Sequence, residues 1–208
     1  FSSNDIACYD LDGNLLWLRG LAYDNPSMRN DVGMSSSPII IGNNVIVQCE
    51  NQGESYAAGL DIETGKTVWK VARDNSAIWS SPTVLRGEPG DRSLLLLVGR
   101  EGLSCLDPET GDEIWAFEAL SNTIASPTTL GRDIYYPANG IHHLRHDPAT
   151  GTVEHLWYEQ RLRGSNPSPI ARGDRIFVMK SPSILVSADT ETGRAVWQER
   201  IAGSQFWG

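Results

Sequence analysis

Four histidines, three cysteines and seven tryptophans are the residue types of this 208-residue chain whose positions could carry chemistry. The run His142-His143-Leu-Arg-His146 invites a metal reading. In a strand, however, His142 and His143 point to opposite faces, and His142 and His146 stand about 13 Å apart at roughly 3.3 Å per residue. His155, on a neighbouring strand, can approach one of them, but no metal site is assigned. Asp10-Leu-Asp-Gly-Asn14 opens like a calcium loop, yet it lacks the acidic residue at position five and the glutamate at twelve, so a tight turn accounts for it better. Cys8, Cys49 and Cys105 are an odd set without C-x-x-C spacing. They read as small residues within strands and leave the redox compartment open. There is no G-x-S-x-G, and the serines that precede prolines recur once per repeat, as structural positions do and catalytic ones do not; nucleophilic catalysis has little support.

The tryptophans are informative because of what precedes them. Asp61-Ile-Glu-Thr-Gly65 leads to Trp69, Asp107-Pro-Glu-Thr-Gly111 to Trp115, and Asp189-Thr-Glu-Thr-Gly193 to Trp197, all as D-x-E-T-G-x-x-φ-W. Two degenerate copies run from Asp10 to Trp17 and from Asp147-Pro-Ala-Thr-Gly151 to Trp157, the latter with two extra residues. The five tryptophans are spaced by 52, 46, 42 and 40 residues. Ser37-Pro38, Ser81-Pro82, Ser126-Pro127 and Ser168-Pro169 keep phase with them. Each opens an apolar stretch, followed by a Gly/Asn/Asp turn and a β-prone run such as Val45-Ile46-Val47 or Leu94 to Val98. These are strand and hairpin signals, with no helical periodicity of useful length.

Each period therefore holds four short strands: A after Ser-Pro, B after the turn, C ending at the Asp and D ending at the Trp. That is the signature of a β-propeller blade. The expected architecture is an all-β propeller of four-stranded antiparallel blades over residues 1–208, with about four and a half blades present. Blades are placed at 1–20 (strands C and D only), 35–72, 79–118, 124–160 and 166–201. Trp17, Trp69, Trp115, Trp157 and Trp197 are read as structural plates between blades. Each buries roughly 150–250 Å², an upper-bound gain of about 4–6 kcal/mol.

With these residues the sequence resembles the quinoprotein-type family of PQQ-like repeats, whose shared pattern is A-x-D-x-x-T-G-x-x-x-W. The position two before Asp is Cys8, Gly59, Cys105, Arg145 and Ser187. Arg145, with the two extra residues before Trp157, argues against regular docking in that blade. The resemblance implies a ring of seven or eight blades, so the expectation is a piece of a longer propeller. Two chains completing one ring as a dimer is the alternative. The resemblance does not carry the cofactor: the chain has no adjacent cysteines, and Glu50, Asn51 and Glu54 lie in a B–C loop without the family's calcium-ligand context. Neither PQQ nor calcium is expected. The non-catalytic, BamB-like members imply a protein-interaction scaffold in the periplasm or outside the cell. Two other readings stay open, a small-ligand or glycan-binding sensor and a fragment of a quinone-dependent dehydrogenase.

Net charge is −9, without a local basic patch of the kind nucleic acid requires, and no apolar run approaches the length of a membrane helix. The chain opens at Phe1 without a signal-peptide pattern, so any leader lies outside it. Binding is expected on the face that gathers the D–A and B–C loops. The longest such loop, Arg19 to Ser35, carries Tyr23 and Arg29 as candidate partner contacts. Trp79 and Trp207, each ten residues after a strand-D tryptophan, are placed where a side chain can border the central channel. Arg161, Arg163 and Asn166 form a small basic stretch suited to an acidic ligand.

Overall fold

The computed structural model describes residues 4–28, 36–121 and 123–203. Among these, eighteen strands form five antiparallel sheets in chain order. The first is a hairpin of β1 (Asp5–Tyr9) and β2 (Leu15–Gly20). The second joins β3 (Ile39–Ile41), β4 (Asn44–Cys49), β5 (Ser55–Asp61) and β6 (Thr67–Arg73). The third joins β7 (Thr83–Leu85), β8 (Leu94–Val98), β9 (Gly102–Leu106) and β10 (Glu113–Glu118). The fourth joins β11 (Thr128–Leu130), β12 (Asp133–Pro137), β13 (Ile141–Asp147) and β14 (Thr152–Glu159). The fifth joins β15 (Ile170–Arg172), β16 (Arg175–Lys180), β17 (Ile184–Asp189) and β18 (Ala195–Arg200). Every strand pairs with its sequence neighbour, and the short first strands of adjacent sheets approach one another, β7 with β11 and β11 with β15. This is a β-propeller whose sheets stand side by side as blades.

The strand period of two explains the core. Four buried clusters lie one between each successive pair of blades. Val45, Val47 and Cys49 face the first blade, whereas Ile46 faces the third. Leu94, Leu96 and Val98 pack toward the fourth blade and Leu95 and Leu97 toward the second, so a continuous apolar run is buried on both faces.

The repeated residues lock one blade to the next. Trp17 donates its indole N–H to the carbonyl of Ile62 at 2.9 Å, Trp69 to Pro108 at 2.9 Å and Trp157 to Thr190 at 3.1 Å. Each ring lies against the turn glycine of the next blade: a Cβ added to Gly65, Gly111 or Gly193 would stand 2.6, 2.6 or 2.9 Å from it. The aspartate that opens each such turn holds it closed. Asp61 Oδ1 accepts from the Thr64 amide at 2.8 Å and its hydroxyl at 2.6 Å, and Asp189 does the same with Thr192. On the inner strands the Ser-Pro serines form a ladder. The amides of Ser37, Ser81 and Ser126 donate to the hydroxyl oxygens of Ser81, Ser126 and Ser168 at 2.9, 2.8 and 3.0 Å.

One alignment drawn from the sequence is corrected. Cys8, Gly59, Cys105 and Ser187 stand directly opposite the strand-D tryptophan of their own blade. In the fourth blade the residue opposite Trp157 is His143, not Arg145, which pairs with Glu154. The register shift beside the tryptophan pair is common to all five hairpins, and the two extra residues carry the pair two positions further from the turn aspartate, from two residues before it to four.

Candidate functional site

The D–A and B–C loops lie on one face, and the sheets fix where each begins. The best-built of them follows β2. Leu21–Asp24 form a single helical turn, α1, which local propensity had not announced. Arg19 at the end of β2 ties it down by a 2.5 Å ion pair to Asp24. Asn25 is buried, donates its side-chain amide to the Leu21 carbonyl at 2.9 Å, and accepts from Lys70 of the second blade. The Glu54 amide donates to the Ser27 carbonyl at 3.2 Å, joining this loop to the B–C loop of the second blade. Leu21 and Met28 sink into the cluster between the first two blades. Tyr23 is 89% exposed on a platform held by these contacts.

Trp79 begins the entry to β7. Its amide and that of Ser80 both donate to the Thr123 carbonyl of the next D–A loop, at 2.7 and 3.1 Å. Ile78 is buried in the core between the third and fourth blades, while the Trp79 side chain stays partly exposed. Arg161 lies in the single 3₁₀ turn Gln160–Leu162 after β14. Leu162 is buried and anchors that turn, Arg161 and Arg163 are exposed, and Asn166 is half-buried. Tyr23, Trp79 and the arginines thus belong to the D–A loops of three different blades and are not drawn into one pocket. Arg29 and Trp207 lie outside the described residues.

Two polar groups that the sequence placed in a B–C loop without a ligand role, Glu50 and Asn51, are buried on the same face. Glu50, in the first B–C loop, has a side chain 1% exposed and is held by Arg73 Nε at 2.6 Å and Gln48 Nε2 at 3.0 Å. Burial pushes its carboxyl above the usual range although Arg73 opposes this. A divalent cation at Glu50 would face that guanidinium, so Glu50 does not fit a calcium site. Asn51 is taken up by its own turn, its Oδ1 accepting from the Gly53 amide at 2.7 Å.

His142 and His155 do meet, with Nδ1 and Nε2 3.3 Å apart, but they pack as rings against Phe117, and His142 stacks on Tyr158. Among the described residues, no three His, Cys, Asp or Glu side chains are grouped to hold a metal. His143 turns to the other face, stacked on Tyr135 with Nε2 2.8 Å from Asp133, which Arg145 also engages at 2.7 Å.

Among the described residues, clefts open beside the outer strands at three junctions between blades. The first holds Arg19, Asp24 and Lys70, the second Arg73, Asp74, Glu101, Glu113 and Glu118, and the third Glu159, Arg161, Lys180 and Arg194. At the remaining junction the Phe117 and histidine rings are packed together.

A propeller in which a strand-D tryptophan of one blade is hydrogen-bonded to the next belongs, by class, to the repeat-built β-propellers. The family model described as outer membrane protein assembly factor BamB matches residues 53–206, and the chain belongs to that family. BamB from Moraxella catarrhalis superposes with a TM-score of 0.71 at 23% identity, over 95% of this chain and 55% of that one. The computationally designed Ika8 protein superposes with a TM-score of 0.61 at 13% identity, over 100% and 62%. Quinohemoprotein alcohol dehydrogenase from Comamonas testosteroni superposes with a TM-score of 0.66 at 14% identity, over 97% and 41%. At these identities the likeness is one of fold. The chain spans about half the length of the solved propellers it matches. Comparison with curated protein sequences finds no significant match. No helix among the described residues is long and apolar enough to cross a membrane.

Proposed function

We propose that the chain is a non-catalytic protein-interaction scaffold of the cell envelope that takes part in outer-membrane protein assembly through its loop face. The observation that carries this reading is Tyr23: an 89% exposed aromatic on a short turn fixed by the Arg19–Asp24 pair, the buried Asn25 and the Glu54–Ser27 bond. An aromatic held outward on a rigid support loses little entropy on binding, which is what an interaction anchor requires. The family match supports the process, and the partly exposed Trp79 supports an extension of the surface toward the middle of the face. The reading involves no quinone and no calcium, consistent with Glu50 being committed to Arg73.

A photo-crosslinking amino acid at position 23, introduced in cells, tests it. The expected result is a discrete adduct with an envelope protein of the assembly machinery, weakened by Trp79→Ala at unchanged thermal stability. An unchanged monomer band at position 23, with the protein folded in the envelope, would sink the reading.

A further inference from the structure

We infer that the cleft between the fourth and fifth blades binds an extended acidic peptide segment. Two equivalent clefts serve as internal controls. Between the first and second blades the cations are paired, Arg19 with Asp24 at 2.5 Å and Lys70 with Glu54 at 3.7 Å. Between the second and third blades Arg73 is bound to Glu50, and the rest of the charged lining is acidic. Between the fourth and fifth blades the lining is Arg161, Lys180 and Arg194 against one carboxylate, Glu159, in a space of about 400 Å³. Glu159 accepts from the Arg161 backbone amide at 2.8 Å and, with its charge counted, the lining still carries an excess of positive charge. The side chains of Arg161, Lys180 and Arg194 form no ion pair among the described residues, in a chain whose net charge is −9. Like charges gathered in a partly enclosed space raise the local potential and favour an anion.

The spacing of the cations selects the kind of anion. Arg194 precedes β18 at the turn face, whereas Lys180 ends β16 level with Ile184 and Arg200 at the loop face. Six residues of strand at roughly 3.3 Å each separate the two levels by about 20 Å. The cleft therefore runs along the strands for a length that an extended peptide of about six residues can follow, its carboxylates meeting cations carried at both levels. Val186, Ala195 and Gln198 contribute uncharged lining to the same cleft. The inference rests on the reading of the chain as a partner-binding propeller, but not on Tyr23.

Isothermal titration calorimetry of the full chain with acetylated hexaglutamate, hexaglutamine and inorganic phosphate decides it. Hexaglutamate should bind at low salt and weaken steeply as sodium chloride is raised; hexaglutamine should not bind. R161Q, K180Q and R194Q should each cost about threefold in affinity, and the triple variant more than tenfold. The variant K66Q/R86Q/R172Q removes three exposed charges elsewhere and should leave binding within twofold. An equal loss in that control, phosphate binding as tight as hexaglutamate, or no loss in the triple variant would each overturn the inference. Failure here alongside an adduct at position 23 would remove the cleft and leave the loop-face reading intact.

Discussion

Trp115 donates its indole N–H to Nδ1 of His146 at 3.1 Å, where Trp17, Trp69 and Trp157 donate to backbone carbonyls. The departure follows from the lengthened hairpin of the fourth blade. Gly151, the turn glycine there, has Ile114 rather than an indole beside it, its nearest atom 3.7 Å from where a Cβ would stand. A ring nitrogen has replaced a carbonyl, so one of the four described interblade contacts depends on a titratable group.

That contact should weaken in acid. Burial lowers the affinity of His146 for a second proton, and burial followed by the neighbouring His155 does the same for His142. Both groups contribute stability that is present above their unfolded value near 6.5 and lost as pH falls through the lower folded value. His146→Asn keeps an acceptor for Trp115 and removes the titration. Thermal unfolding at pH 7.5 and pH 5 should show a smaller loss of midpoint in this variant than in the parent; an equal loss would place the acid sensitivity elsewhere.

The blade architecture was legible in the sequence because a propeller repeats its constraints. Thr64 and Thr192 recur because they close the turns at Asp61 and Asp189, and the Ser-Pro serines recur because the hydroxyls of Ser81, Ser126 and Ser168 each receive an amide from the preceding blade. The Arg145 alignment failed because a two-residue insertion cannot be assigned to one strand or the other from spacing alone; pairing decides it. The site was less legible for a related reason. Lys180 and Arg194 lie far from Arg161 in sequence and converge only through the packing of adjacent blades, and the Glu50–Arg73 pair depends on burial that no local pattern records.

Gly111 tests the fit between tryptophan and turn. It sits at φ +78°, and an added Cβ would stand 2.6 Å from the Trp69 ring. Gly42 sits at φ +58° with nothing within 4 Å of the added atom. Gly42→Ala should cost about 1 kcal/mol from backbone strain alone, and Gly111→Ala about 3 kcal/mol, since the indole must also move. Urea titration of the two variants checks this, and equal costs would mean that the ring has room to shift.

The same logic separates two tryptophans of identical motif. Trp69 is buried between blades, while Trp197 is 43% exposed on β18 and meets Phe177 at a ring distance of 6.2 Å. In this chain Trp69→Ala should cost about 3–5 kcal/mol and Trp197→Ala less than about 1 kcal/mol. Chemical denaturation of the 208-residue chain measures both; a large cost at Trp197 would require a contact that the described residues do not make.

The buried pair on the loop face makes the last prediction, because its two members should not be equivalent. Glu50 pays desolvation that Arg73 only partly offsets, and its carboxyl is raised. A raised carboxyl contributes stability that is present below its unfolded value near 4.3 and lost as pH rises through the folded value, so at neutral pH the charge on Glu50 is a net burden. Glu50→Gln removes that charge and can still accept from Arg73 Nε, so it should change stability by no more than about 1 kcal/mol. Arg73→Met leaves Glu50 ionised, with Gln48 as its remaining side-chain partner, and should cost about 3–5 kcal/mol at pH 7.5. The double variant should recover most of that loss, because the stranded charge is gone. Urea midpoints of the three variants at pH 7.5 check the cycle, and a double variant as unstable as Arg73→Met would show that Arg73 acts through its bulk and its contact with Ser104 rather than through the charge of Glu50.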